Sequence, residues 1–125
     1  MDDLYQEHIL DHYQHPRNFG KLTGEKQSTD LANLSCGDGI SVDVRMDDQG
    51  KITDIAWEGS GCAISMASAS VISQWAIGKL LSEVQALTIE DITQKLGLKS
   101  LSHSRIKCAY LFVHALQKVN NPSKI

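Results

Sequence analysis

Cys36, Cys62 and Cys108 are the residues of this 125-residue chain best equipped for chemistry. An odd number of cysteines cannot pair completely within one chain, so metal or thiol chemistry outranks a disulfide framework. They stand 26 and 46 residues apart with no Cys-x-x-Cys pair, which excludes a knuckle-type zinc finger. Cys36 lies in Asn33-Leu34-Ser35-Cys36-Gly37-Asp38-Gly39, Cys62 in Gly59-Ser60-Gly61-Cys62-Ala63, and Cys108 in Arg105-Ile106-Lys107-Cys108-Ala109. Gly37, Gly39, Gly59 and Gly61 remove side-chain bulk, so that backbone N–H groups can approach a metal, sulfide or persulfide. Asp38 offers a hard oxygen beside soft sulfur. A set of three cysteines and one aspartate can be tetrahedral, with the carboxylate its most exchangeable ligand. Taken one at a time, a cysteine is also a small buried hydrophobe and Asp38 a turn-former or cap.

The elements that must position these residues can be read from periodicity. Leu4, Tyr5, His8, Ile9, His12 and Tyr13 recur at helical steps, which predicts an amphipathic helix over Asp2–Gln14, ended by His15-Pro16. Asn18-Phe19-Gly20 and Thr23-Gly24 read as turn and loop. Ile40, Val42, Val44 and Met46 alternate with Ser41, Asp43 and Arg45, and Asp47-Asp48-Gln49-Gly50 follows as a turn. Lys51–Glu58 is the return strand, with Thr53, Ile55 and Trp57 on one face. Ser28–Asn33 supplies a third strand. Ala63–Ile77, rich in Ala and Ser, is a close-packing helix, followed by short helices over Leu80–Leu87 and Ile89–Leu96. Thr88 caps the second of these and Gly97 stops it. Ser104–Val119 is the last helix. This order predicts one α+β domain over residues 1–125, a small antiparallel three-stranded sheet packed with five or six helices. Cys62 and Cys108 then fall at helix N-termini, where the macrodipole favours a thiolate, and Arg105 and Lys107 add positive potential at Cys108.

Composition narrows the function classes. Twelve Lys and Arg against fifteen Asp and Glu give a net charge of −3, without a basic stripe for nucleic acid. The uncharged stretch Gly59–Gly78 carries five serines, three glycines and Gln74, too polar for a membrane span. The acidic start of the chain has no signal-peptide pattern, which points to the cytoplasm.

Taken together, these segments resemble the U-type iron–sulfur cluster assembly proteins, the family of IscU, SufU and the amino-terminal domain of NifU. Asp11-His12-Tyr13-Gln14-His15-Pro16-Arg17-Asn18-Phe19-Gly20 is similar to the family's opening, with His15 in place of an asparagine. Asn33–Asp38 matches Asn-Pro-x-Cys-Gly-Asp with Leu34 for the proline. Trp57-Glu58-Gly59-Ser60-Gly61-Cys62-Ala63-Ile64-Ser65 matches the second cysteine motif. Lys107 stands where IscU proteins have a histidine, and Ser100–Ser104 replaces their Leu-Pro-Pro-Val-Lys segment. Arg105–Ala109 and Cys62–Ser65 look like SufU instead, but the chain lacks the insertion of about twenty residues that SufU carries between the second and third cysteines.

The resemblance implies a SufE/NifU-like α+β fold in which Cys36, Cys62 and Cys108 converge at one exposed end, with Asp38 as fourth metal ligand. It implies zinc or a [2Fe-2S] cluster at that one site, a cysteine desulfurase as sulfur donor, and recipient apo iron–sulfur proteins as partners. The protein would then be a scaffold or a zinc-dependent, sulfurtransferase-like carrier rather than a conventional enzyme. Cys36, in the Gly-rich loop, is the expected sulfur acceptor and Cys108 the alternative. A small binding module with a purely structural zinc is the rival reading, and a cysteine hydrolase a third. His103, five residues before Cys108, is a candidate replacement ligand. His114 is about 240° around its helix from Cys108, on the wrong face. His8 and His12 have metal-pair spacing but share their face with apolar residues, which favours packing. Trp57 and Trp75 read as core or partly buried anchors, and Tyr110 and Phe112 as residues able to flank the site.

Overall fold

A computed structural model describes residues 3–33, 38–99 and 101–119. The elements run α1 (Asp3–Gln14), β1 (Gln27–Asn33), β2 (Asp38–Met46), β3 (Ile52–Ser60), α2 (Ala63–Ala76), α3 (Leu81–Gln85), α4 (Ile89–Lys95) and α5 (His103–Leu116). The strands form one antiparallel sheet in the order β1-β2-β3. This is the expected α+β arrangement, with five helices among the described residues. Helices α2 and α5 pack on each other and on the sheet, α1 packs on α2, and α3 and α4 pack on α5. Among the described residues no helix is long and apolar enough to cross a membrane.

The alternation in β2 does what its period demands. Ile40, Val42 and Val44 are buried on the inner face, where Val42 pairs with Trp57 and Val44 with Ile55. In β3 the expected face is wrong at one position. The register steps from Arg45–Asp54 to Met46–Ile52, so Thr53 is the extra residue of a bulge. Ile52 turns inward at 1% exposure, and Thr53 is exposed with its hydroxyl donating to the Arg45 carbonyl at 3.2 Å.

Small residues let α2 sit close to its neighbours. Ala67, Ala69, Ile72 and Ala76 are fully buried, and so are Ser70 and Ser73. The C-terminal end of α2 returns to the start of β3, with the Gly78 N–H on the Ile52 carbonyl and the Ile52 N–H on the Lys79 carbonyl, both at 2.8 Å. Helix α4 is delimited as its sequence asks. Thr88 and Asp91 form a reciprocal capping box. Gly97, at φ +74°, donates to Gln94, and Leu98 donates to Thr93, which completes a Schellman stop.

Candidate metal and sulfur site

Cys62 is placed by the junction of β3 and α2. It is the N-cap residue of α2, with extended backbone (φ −75°, ψ 168°). Its carbonyl accepts the Met66 N–H and the Ser65 hydroxyl, and its side chain makes no capping bond. The sulfur of this half-buried residue is therefore not spent on starting the helix. Two residues earlier, Ser60 pairs with Gly39 at the beginning of β2, and Asp38 pairs with Asn33 at the end of β1. The backbone that precedes Cys62 thus lies beside the paired strand ends between which Cys36 falls in sequence.

Cys36 itself lies outside the described residues, as do Gly37 and the Asp38 side chain. Cys108 is on α5 and 5% exposed. The expectation that it sits at a helix N-terminus is corrected: α5 begins at His103, one residue earlier than predicted, so Cys108 is its sixth residue. The dipole effect is confined to the first turn and does not reach it. Arg105 and Lys107 are exposed while Cys108 is buried, so these cations turn outward rather than toward the sulfur.

Gly59 has a different purpose from the one its motif suggests. A Cβ there would stand 2.6 Å from the Gly39 carbonyl oxygen and 3.3 Å from the Ile40 Cα. Its missing side chain lets β3 lie against β2, which is a packing requirement. At Gly39 a Cβ would meet only the Leu31 carbonyl, at 3.9 Å, so space around that residue is ordinary.

Among the described residues no three His, Cys, Asp or Glu side chains gather closely enough to hold an ion. His103 therefore does not complete a site with Cys62 and Cys108. The described thiols suit a soft ion by type, and the remaining expected donors, Cys36 and the Asp38 carboxylate, are those outside the description.

The other candidate histidines, His8, His12 and His114, pack against neighbouring rings. His12 is buried, its Nδ1 2.7 Å from the Ser70 hydroxyl, and His8 packs edge-on against it at 4.8 Å. Burial, then the charges of Arg17 and His8, hold the His12 pKa below the usual histidine value. His114 is exposed and meets the Tyr110 ring edge-on at 4.5 Å, whereas Cys108 is buried. Tyr110 donates to the Leu87 carbonyl at 2.5 Å, and Phe112 is core at 1% exposure. Trp57 is core as well, while Trp75 lies under the ammonium groups of Lys95 and Lys79.

A cluster missed by sequence reasoning surrounds Arg17-Asn18-Phe19-Gly20. The Arg17 N–H donates to the Ser70 hydroxyl at 2.9 Å, and the Arg17 carbonyl accepts from the Trp57 indole N–H at 2.8 Å. Asn18 donates its side-chain amide to Ser73 at 3.2 Å. The backbones of Asn18 and Gly20 bracket Trp57 with bonds of 2.9 and 2.8 Å. Asn18 adopts φ +61°, a conformation that asparagine tolerates better than most residues. The Asn-x-Gly pattern was the available signal, but its partners on α2 and β3 are distant in sequence.

Comparison with known proteins agrees with this architecture. Residues 4–121 match the model of the NifU-like N terminal domain. The iron–sulfur cluster assembly scaffold protein IscU of Escherichia coli (strain K12) is 31% identical over 116 residues, covering 90% of this chain and 88% of that protein. The zinc-dependent sulfurtransferase SufU of Bacillus subtilis (strain 168) is 34% identical over 135 residues, covering 94% and 90%. That alignment is longer than the present chain, which places gaps in it, in keeping with a missing insertion. The crystal structure of a SufU from Fervidobacterium islandicum AW-1, proposed as an assembly scaffold of the SUF system, superposes with a TM-score of 0.74 at 28% identity, covering 89% of this chain and 92% of that one. A NifU-like amino-terminal domain from Brucella abortus shares the fold at TM-score 0.76 and 23% identity, covering 92% and 90%. The chain belongs to the NifU-like N-terminal domain family, with IscU and SufU among its relatives.

Proposed function

We propose that this protein takes part in iron–sulfur cluster assembly in the cytoplasm, accepting sulfur from a cysteine desulfurase at Cys36. Cys36, Asp38, Cys62 and Cys108 would hold the metal or the nascent cluster. The observation that carries this reading is the placement of Cys62. Its sulfur makes no capping bond, and the backbone two residues before it pairs with the start of β2, which with the end of β1 flanks Cys36 in sequence. The names of the relatives support both occupants, a scaffold for clusters in one and zinc dependence in the other.

The thiols differ in what they can do. Cys108, 5% exposed, is poorly accessible to a bulky partner, which argues against it as first acceptor. At Cys36 the thiolate attacks the terminal sulfur of the desulfurase persulfide. One S–S bond forms and one breaks, leaving a Cys36 persulfide and a desulfurase thiolate. Asp38, as the one oxygen donor, is the group most easily displaced from a soft ion. Zinc at this site would keep its cysteines deprotonated, whereas a [2Fe-2S] cluster would be the protein's cargo.

The test is metal analysis of protein purified with and without oxygen, together with persulfide labelling by a cysteine desulfurase. Stoichiometric zinc or an oxygen-labile brown chromophore, with sulfur appearing on Cys36, supports the proposal. Tightly held zinc with no response to any desulfurase replaces it with the binding-module reading.

A further inference from the structure

Strand β3 and helix α2 run back from Cys62 as two arms. Their far ends are joined by the backbone bonds between Ile52 and the Gly78–Lys79 segment. Between those ends and Cys62, the segment Arg17–Gly20 spans the two arms. It grips α2 through Ser70 and Ser73 and grips β3 through the indole and backbone of Trp57. The Arg17 carbonyl accepts from the Trp57 indole at 2.8 Å and lies 3.3 Å from the Ser73 hydroxyl, whose shorter bond goes to the Ser70 carbonyl at 2.9 Å. Both serines are fully buried and Trp57 is 1% exposed, so water does not compete for these bonds.

We infer that Asn18, Ser70 and Ser73 are positioning residues for Cys62, acting through Trp57 as a brace that fixes the angle between β3 and α2. The brace touches no proposed ligand. Its influence is geometric: Cys62 occupies the N-cap position of α2, so a small rotation of α2 against β3 moves the sulfur. A displaced ligand is costly because metal coordination tolerates bond-length errors of only about 0.2 Å. The inference rests on the metal reading above, and the experiment separates the two.

The variants are Asn18→Gly, which keeps the positive φ but removes the amide, and Ser73→Ala. Thr88→Ala, in the distant α4 capping box, controls for general loss of stability. Zinc affinity is read by chelator competition, and Co2+ absorption reports the ligand geometry. Both brace variants should weaken zinc binding about tenfold, in the range typical of residues that orient ligands, and should shift the Co2+ spectrum. The double variant should be no weaker than Ser73→Ala alone, because the Asn18–Ser73 bond that Asn18→Gly removes is already lost in Ser73→Ala. Thr88→Ala should stay within about twofold of wild type. Unchanged affinity in the brace variants, or an equal loss in Thr88→Ala, overturns the inference. If the wild type binds neither Zn2+ nor Co2+, the metal reading fails on its own, and alkylation of Cys62, followed by peptide mass mapping, decides the brace. Faster alkylation in the brace variants but not in Thr88→Ala upholds it, and equal rates overturn it.

Discussion

The Gly39 carbonyl oxygen lies 2.6 Å from the point where a Cβ on Gly59 would stand, so β2 and β3 can keep their register only while residue 59 is glycine. The obstacle is backbone, which cannot swing away as a flexible side chain would. Gly59→Ala should therefore destabilise the protein by about 1–3 kcal/mol, the usual cost of overpacking. Gly39→Ala meets only an ordinary contact and should stay within about 1 kcal/mol of wild type. Urea unfolding of the two variants checks this. A Gly59→Ala midpoint equal to that of wild type would contradict the steric argument.

The His12 imidazole gives the stability a pH dependence of definite sign. Its pKa is lowered in the fold, by burial first and then by Arg17 and His8, while Asp11 opposes the shift. The unfolded chain therefore binds more protons than the folded one as pH falls through the ordinary histidine value of 6.5. The contribution of His12 is complete above that value and is lost progressively below it, at no more than about 1.4 kcal/mol per pH unit. Protonation would also make Nδ1 a donor toward the Ser70 oxygen, which already accepts from Arg17. His12→Asn, which cannot titrate, should flatten the stability curve between about pH 5 and 6.5. Chemical denaturation across that range is the measurement, and an unaltered slope would remove His12 from the account.

The buried serines of α2 make opposite predictions. Ser68 is 1% exposed, and its hydroxyl has no hydrogen-bond partner among the described residues. Ser68→Ala removes a desolvated polar atom and should leave stability unchanged or raise it by about 1 kcal/mol. Ser70→Ala strips a partner from both the Arg17 N–H and His12, and should cost about 1–3 kcal/mol. Thermal unfolding of the pair distinguishes them, and a destabilised Ser68→Ala would show that its hydroxyl is satisfied after all.

These serines also mark where the sequence stops being legible. The Ala and Ser content of Ala63–Ile77 signals close packing. Which serine is an anchor depends on Arg17 and Asn18, more than fifty residues away. Period two was enough to place Ile40, Val42 and Val44, but it fails at Thr53, because a bulge costs no sequence signal and inverts the faces beyond it. The cap at Thr88 was readable because its partner, Asp91, lies only three residues on. At the candidate site, the cysteine types and Asp38 are legible from motif alone. The depth of Cys108 is not, since it depends on where α5 starts and on how that helix packs against α2.

Removing the ion should loosen the site while sparing the fold. None of the largest fully buried side chains, among them Trp57, Phe112, Ile72 and Leu96, is a proposed ligand, although Cys108 is itself buried. A chain of this size buries enough apolar surface to fold without metal. Chelation at neutral pH should leave the helical circular dichroism intact and take up protons as the thiolates are freed. Loss of the helical signal on chelation would mean that the metal is structural, and would favour the binding-module reading.

Asp38→Ala and Cys36→Ser separate ligand exchange from sulfur acceptance. The first removes the single oxygen donor and leaves three thiols, so metal or cluster should still bind, with water able to fill the vacant position. What should change is the ease of exchange, and with it the rate at which sulfur or cluster passes on. Cys36→Ser should abolish sulfur uptake, because an alcohol is far too weak an acid to supply an attacking anion at neutral pH. Desulfurase turnover and persulfide mapping on wild type and both variants are the measurements. Normal uptake by Cys36→Ser would transfer the acceptor role to another cysteine. Cys62 would come first, because its sulfur is half-buried and uncommitted whereas Cys108 is 5% exposed.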